Sequence, residues 1–209
     1  MKIFVSVGST ATPAQEAFVR AVEDRLRAEG LVPQTVGRTY FTADSPFTGV
    51  NTLMDACEGV VVVALERIFV EHGIEKRGGP TEAAFHGIKL ATPWNQIEAA
   101  LAYSRGLPLL VVVEAGLRQD GLLEKGFDWY VVSAPVDPVA LSTAEFNGVL
   151  AAWKQKLGAR TKKPEAKFNP AEMTVGQLVA SLKPTQLWSL LAALSVSLAG
   201  AFALGAKLP

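Results

Sequence analysis

Glu98 is the acidic residue whose setting best suits chemistry. It stands in TPWNQIEAALAYSRGLPLLVVVE, residues 92–114. Thr92 reads as an N-cap and Pro93 as an early helical residue, where a missing N–H costs nothing. Ile97, Leu101 and Ala102 recur at helical spacing, and Arg105-Gly106 supplies a cationic last turn and a left-handed glycine stop. Leu109 to Val113 is then an unbroken apolar run, the pattern of a parallel strand covered on both faces. This reading puts Glu98 one turn into the helix, beside the positive end of its dipole and open to the crevice above the neighbouring strand ends. A carboxylate there can stabilise a developing cation or capture it covalently. It can also do no more than complement the dipole, and position alone leaves both roles open.

Four further groups could serve such a carboxylate. Gly8-Ser9-Thr10 follows the apolar run KIFVSV and precedes a helix, so it offers backbone N–H groups and two hydroxyls to a phosphate or a ribose. It is not a GxGxxG fingerprint, and a plain tight turn explains it nearly as well. Glu66-Arg67 lies just past the carboxyl end of the run GVVVVAL, where α/β sheets bind ligands. Arg38 and Arg67 are candidate bidentate phosphate donors. Trp94 and Asn95 open the helix that carries Glu98 and complete the candidate binding set.

Composition excludes much else. Twenty basic residues balance twenty acidic ones, so no global field invites nucleic acid. The single cysteine, Cys57, permits no disulfide framework and reads as a small buried hydrophobe in a reducing compartment. His72 and His86 lack metal-ligand spacing, so no metal site is expected. Ile3 to Val7 is too short for a signal-peptide core. No Ser–His–Asp set or P-loop competes with the carboxylate chemistry.

The elements needed to position these groups follow in order. Strand Lys2–Val7 and helix Pro13–Glu29, with Val19, Val22 and Leu26 on one face, form the first half of a doubly wound α/β unit. Leu31 to Thr35 is a short second strand. GRTYFTADSPFTG then fits either a ligand lid or a solvated connector with its aromatics on the core. A helix at Val50–Ala56 feeds the strand Gly59–Leu65. The stretch EHGIEKRGGPTEAAFHGIKLA is expected as an inserted, solvent-facing loop with a short helix. Phe127–Ser133 supplies a last strand, and Leu141–Leu157 a closing helix with Phe146, Leu150 and Trp153 on one face. The expectation is a doubly wound parallel sheet of four or five strands over residues 1–157, a linker at 158–172 and a helical tail at 173–209.

The tail contains Pro184 to Ala206, uncharged throughout and long enough to cross a bilayer. Trp188 would sit near one interface, and the basic linker Arg160 to Lys167 would hold the domain on the cytoplasmic side of the inner membrane. A very apolar helix docked on the domain or on a partner is the other reading.

Taken together, the strand–GST–helix start, DACEGVVVVALER and WNQIEAALAYSRGLPLLVVVE resemble the nucleoside 2-deoxyribosyltransferase-like and TIR-like branch of the flavodoxin-like α/β proteins. The shared pattern E-x-x-x-A-x-x-x-G-x-P is met by Glu98, Ala102, Gly106 and Pro108. The resemblance covers about the first 155 residues. It implies that Glu98 is the catalytic carboxylate for cleaving an N-glycosidic bond and that Glu66 holds ribose hydroxyls where the family has an aspartate. The chain departs from the family at Thr92-Pro93-Trp94-Asn95, where the family's DSGT aspartate is missing, and in the long 71–90 insertion. Hydrolysis of a nucleotide, NAD among them, is therefore expected ahead of base exchange. No cofactor is expected, NAD or another nucleotide being the expected substrate. A homo-oligomer is also expected. The alternative is a non-catalytic nucleotide sensor whose tail assembles in the membrane.

Overall fold

Among the described residues, four α-helices flank a parallel sheet whose middle strand holds four consecutive valines. The computed structural model describes residues 1–126 and 129–159. The expectations for the linker beyond Ala159, the tail Pro184–Ala206, and the start of the last predicted strand at Phe127 and Asp128 lie outside the described residues. Among the described residues, no helix is long and apolar enough to cross a membrane.

The strands of the main sheet are β1 (Lys2–Val7), β2 (Val32–Gln34), β3 (Gly59–Ala64), β6 (Leu109–Glu114) and β7 (Val131–Ala134), and the intervening β4 and β5 are described below. Their order is β2-β1-β3-β6-β7, with every pairing parallel. Without β4 and β5 this is the doubly wound 2-1-3-4-5 order. Alternation along the strands divides the core in two. Ile3, Val5, Val61, Val63, Leu110 and Val112 pack with Phe18, Val19, Val22 and Leu26 of α1 (Pro13–Ala28) and with Phe146, Leu150 and Trp153 of α4 (Ala144–Ala159). Phe4, Val60, Val62, Ala64, Val111 and Val113 pack with Val50, Leu53 and Met54 of α2 (Pro46–Asp55) and with Ala99 and Ala102 of α3 (Pro93–Ser104).

The helix signals resolve into real caps. Thr12 accepts from the Gln15 N–H, Ser45 from Thr48 and Thr92 from Trp94, each followed directly by proline. Gly106 (φ 62°) stops α3 in the left-handed region, as its place after Arg105 implied. Helix α2 begins at Pro46, four residues before the expected start, because the Ser45-Pro46 cap outweighs the low helix propensity of Gly49.

Two expectations are corrected. The 71–90 segment contains no helix. Ile68–Glu75 (β4) and Ala83–Leu90 (β5) form an antiparallel hairpin, with Lys76 (φ 53°) and Gly78 (φ 77°) in the left-handed region at its turn. Strand alternation in Ile68, Val70, His72 and Ile74 was masked by the interspersed charges and glycines. The buried face of α3 also differs from the expected one. Asn95, Glu98, Ala99 and Ala102 face the sheet, while Ile97 is 40% exposed. Small alanines permit close helix–sheet approach, so the helix turns its alanine side inward rather than its isoleucine.

Candidate active site at the carboxyl ends of β1 and β3

The chain winds one way from β1 to β2 and the other way from β3 onward. The topological switch therefore lies between β1 and β3, and the crevice beyond their carboxyl ends is where such sheets bind ligands. The turns leaving these two strands are Gly8-Ser9-Thr10 and Leu65-Glu66-Arg67. The start of α3 closes on the first of them: a Cβ at Gly8 would meet Thr92 Cγ2 at 3.1 Å. Glycine is what lets the helix N-terminus come this near.

Beneath that contact lies a buried polar network. Ser6 points to the α3 side of β1 and is 1% exposed. Asn95 donates from Nδ2 to the Ser6 Oγ at 2.9 Å and to its carbonyl at 3.3 Å. The Ser6 hydroxyl is hydrogen-bonded to the Glu98 carboxylate. Glu98 is the sixth residue of α3 and 8% exposed, so it is more enclosed than an open crevice carboxylate. Burial pushes its carboxyl up to about 7, and the Ser6 hydroxyl only partly opposes the rise. It is thus poised between its two charge states at neutral pH. Asn95 Oδ1 is buried with no hydrogen-bond partner among the described residues, an acceptor that a donor on a ligand could meet.

Glu66 and Arg67 stand at the mouth. Gln15 bridges the two turns, accepting from the Ala11 N–H at 2.7 Å and donating to the Glu66 carbonyl at 3.0 Å. Arg67 Nη1 reaches the Ser9 carbonyl at 3.4 Å and has no carboxylate partner among the described residues. It is the cation here that remains open to a phosphate. The Glu66 carboxylate is instead paired with Lys89 of β5 at 2.8 Å, and Lys89 also reaches Glu114 at 3.1 Å. Glu114 accepts from the Glu66 N–H at 2.8 Å, so the hairpin is tied to the ends of β3 and β6. These two carboxylates hold the Lys89 ammonium above its usual range.

Arg38 lies elsewhere. It makes a two-pronged bridge to Glu16 at 2.9 and 3.0 Å and a contact to Glu23 at 3.1 Å, both on α1. With Arg20 and the Thr10 hydroxyl, which donates at 2.9 Å, it holds the Glu16 carboxyl down to about 2. Thr10 is therefore also engaged with α1. In the same loop Tyr40 packs on the α2–α3 core while Phe41 is 75% exposed. Trp94, at the mouth, is 39% exposed.

The structure brings Gly8, Ser9, Glu66, Arg67, Trp94, Asn95 and Glu98 to one end of the sheet. Sequence reasoning missed Ser6, Gln15, Lys89 and Glu114. Ser6 was visible as the one polar residue in the apolar run IFVSV, and Glu114 as the charge ending LLVVVE. Cys57 is buried and desolvation pushes its thiol up to about 11, as befits a packing residue. Among the described residues no group of three or more His, Cys, Asp or Glu side chains is placed to hold a metal.

Sheet order and polar crevice define a doubly wound α/β protein of the flavodoxin-like type. No protein-family model matches the chain, and no curated protein does. Among solved structures it is similar to a cysteine-to-alanine mutant of flavodoxin from Pseudomonas aeruginosa, at 15% identity and a TM-score of 0.34, over 76% of this chain and 98% of that one.

Proposed function

We propose that the protein is a nucleotide or nucleoside N-glycosidase of the nucleoside 2-deoxyribosyltransferase-like and TIR-like kind, cleaving a base–ribose bond with Glu98. The observation that carries the reading is the enclosed Glu98 carboxyl, raised to about 7 by burial, beside the topological switch point. When the C1′–N bond breaks, its electron pair leaves with the base and positive charge develops on the sugar ring. An ionised Glu98 stabilises that charge or captures it, and water then completes hydrolysis. Within this reading Asn95 Oδ1 accepts a sugar hydroxyl, Arg67 takes a phosphate beside Ser9, and Trp94 offers a stacking face. Glu66 can hold ribose hydroxyls only by sharing its carboxylate with Lys89. NAD is a candidate substrate, and the uncharged stretch 184–206 would anchor the domain to the inner membrane from the cytoplasmic side.

A second reading is a non-catalytic nucleotide sensor. It is favoured by the pairing of Glu66 with Lys89 and of Arg38 with Glu16 and Glu23, as expected of structural charges. Incubating the full-length protein with NAD and with deoxynucleosides, and measuring released base, separates the two. Base release that requires Glu98 supports the enzyme. Nucleotide binding without any release supports the sensor.

A further inference from the structure

The hairpin carries a feature that neither proposed reading uses. His72 on β4 and His86 on β5 are directly opposed in the antiparallel register, and their Nδ1 atoms lie 2.6 Å apart. The rings meet edge to face with centroids 4.8 Å apart. Fourteen residues of sequence separate them, which hid any ligand spacing. Folding closes that distance.

We propose that His72 and His86 form a two-histidine chelate for a borderline divalent transition ion such as Zn²⁺ or Ni²⁺. Two nitrogens can approach so closely only if one of them offers a lone pair toward a proton on the other. Replacing that shared proton by a metal keeps both lone pairs directed at one point. Zinc–nitrogen bonds of about 2.0–2.1 Å at near-tetrahedral angles need the nitrogens about 3.3 Å apart, so the rings must open by roughly 0.7 Å. Both side chains are exposed, and nothing in the core has to move for that opening. The flanking positions on the same hairpin face, Val70–Ile88 and Ile74–Ala84, are apolar, and the charged neighbour is Glu71, whose Oε1 lies 3.8 Å from His72 Nε2 on the side of the ring away from the shared Nδ1 contact.

The rest of the chain offers little rivalry for such an ion. These are its only two histidines, and Cys57 is buried with its thiol pushed up to about 11. Imidazole suits Zn²⁺ and Ni²⁺ better than the carboxylates that dominate the other clusters. Water would fill the remaining coordination positions. Because the ion would pin β4 to β5 only when the hairpin is formed, its binding would stabilise the element that carries Lys89.

The test is calorimetric titration of untagged full-length protein with ZnCl₂ and with NiCl₂ in a non-chelating buffer, alongside NMR of the imidazole C–H signals. The parent is expected to bind saturably below millimolar metal, with both histidine signals shifting together. His72→Gln and His86→Gln are each expected to weaken binding by more than about a hundredfold, the upper end of the range that loss of a mere supporting partner costs. Far-ultraviolet circular dichroism of the variants checks that the fold persists. Parent protein that does not bind below millimolar metal would overturn the proposal. So would equal binding by the His72→Gln/His86→Gln double variant, or imidazole signals that stay still during the titration.

Discussion

Asn95 Nδ2 lies 2.9 Å from Ser6 Oγ, and this contact decides which way the Ser6 hydroxyl points. An amide nitrogen can only donate, so the Ser6 oxygen accepts and its proton is left for the Glu98 carboxylate. Ser6 lies on β1 while Asn95 and Glu98 lie on α3, yet the three are joined in one hydrogen-bonded network. Ser6 stabilises the ionised form of a carboxyl that burial is pushing toward neutrality.

Ser6→Ala should therefore raise the Glu98 titration above its present value of about 7. It also leaves Asn95 with only the carbonyl at position 6, so stability should fall by about 1–3 kcal/mol. Carboxyl ¹³C shifts followed against pH read the first effect, and urea unfolding reads the second. An unchanged Glu98 titration would show that the hydroxyl does not govern it.

The raised Glu98 value has a signed consequence for stability. Between the ordinary carboxyl value of 4.5 and about 7 the folded state binds more protons at Glu98 than the unfolded chain does. Its contribution is therefore most favourable below 4.5 and is lost as pH rises toward about 7. A shift of that size corresponds to about 3 kcal/mol. Glu98→Gln carries no charge, so relative to the parent it should gain up to about 3 kcal/mol between about pH 4 and pH 8. Parallel urea melts at the two pH values test this, and a constant difference between parent and variant would refute the burial of the charge.

Much of this frame was legible in the chain. The cap at Thr92, the glycine stop at Gly106 and the valine runs of β3 and β6 were all local signals, and each formed as written. The hairpin was not legible, because charges and Gly73 interrupt its alternation and its partner strand lies beyond a glycine-rich turn. Nor could sequence show that Arg38 is committed to α1, since Glu16 and Glu23 precede it by 22 and 15 residues. The face of α3 was misread because periodicity counts apolar residues. The sheet selected instead the small alanines and the polar pair, Asn95 and Glu98, that hydrogen-bonds to Ser6.

Arg38→Met tests the commitment of that arginine. It removes both prongs from Glu16 and one partner from the buried Glu23. We expect a stability loss of about 1 kcal/mol at neutral pH, the size of a partly solvated charge pair. Glu16 is held down to about 2, so its pairing contributes stability above 4.5 that is lost as pH falls toward 2. The variant should lose part of this acid dependence. Unchanged acid unfolding, together with weakened nucleotide binding, would place Arg38 in the ligand site instead.

The proposed anchor is separable from the site. Truncation after Lys163 should give a domain that stays in the supernatant, while the full chain sediments with membranes until detergent is added, because 184–206 carries no charge. Full-length protein that stays in the supernatant without detergent would remove the anchor from the account.

The most direct measurement is base release by Glu98→Gln. Glutamine keeps the volume and reach of glutamate but offers no negative charge to the sugar cation. The parent should release base from NAD or a deoxynucleoside, with a rate that climbs as pH passes about 7 and Glu98 ionises. The variant should bind nucleotide with its fold intact, yet lose about 3–4 kcal/mol of transition-state stabilisation, on the order of several hundredfold in rate. A Glu98→Gln protein that releases base at the parent rate would contradict the assignment of Glu98 as the catalytic carboxylate.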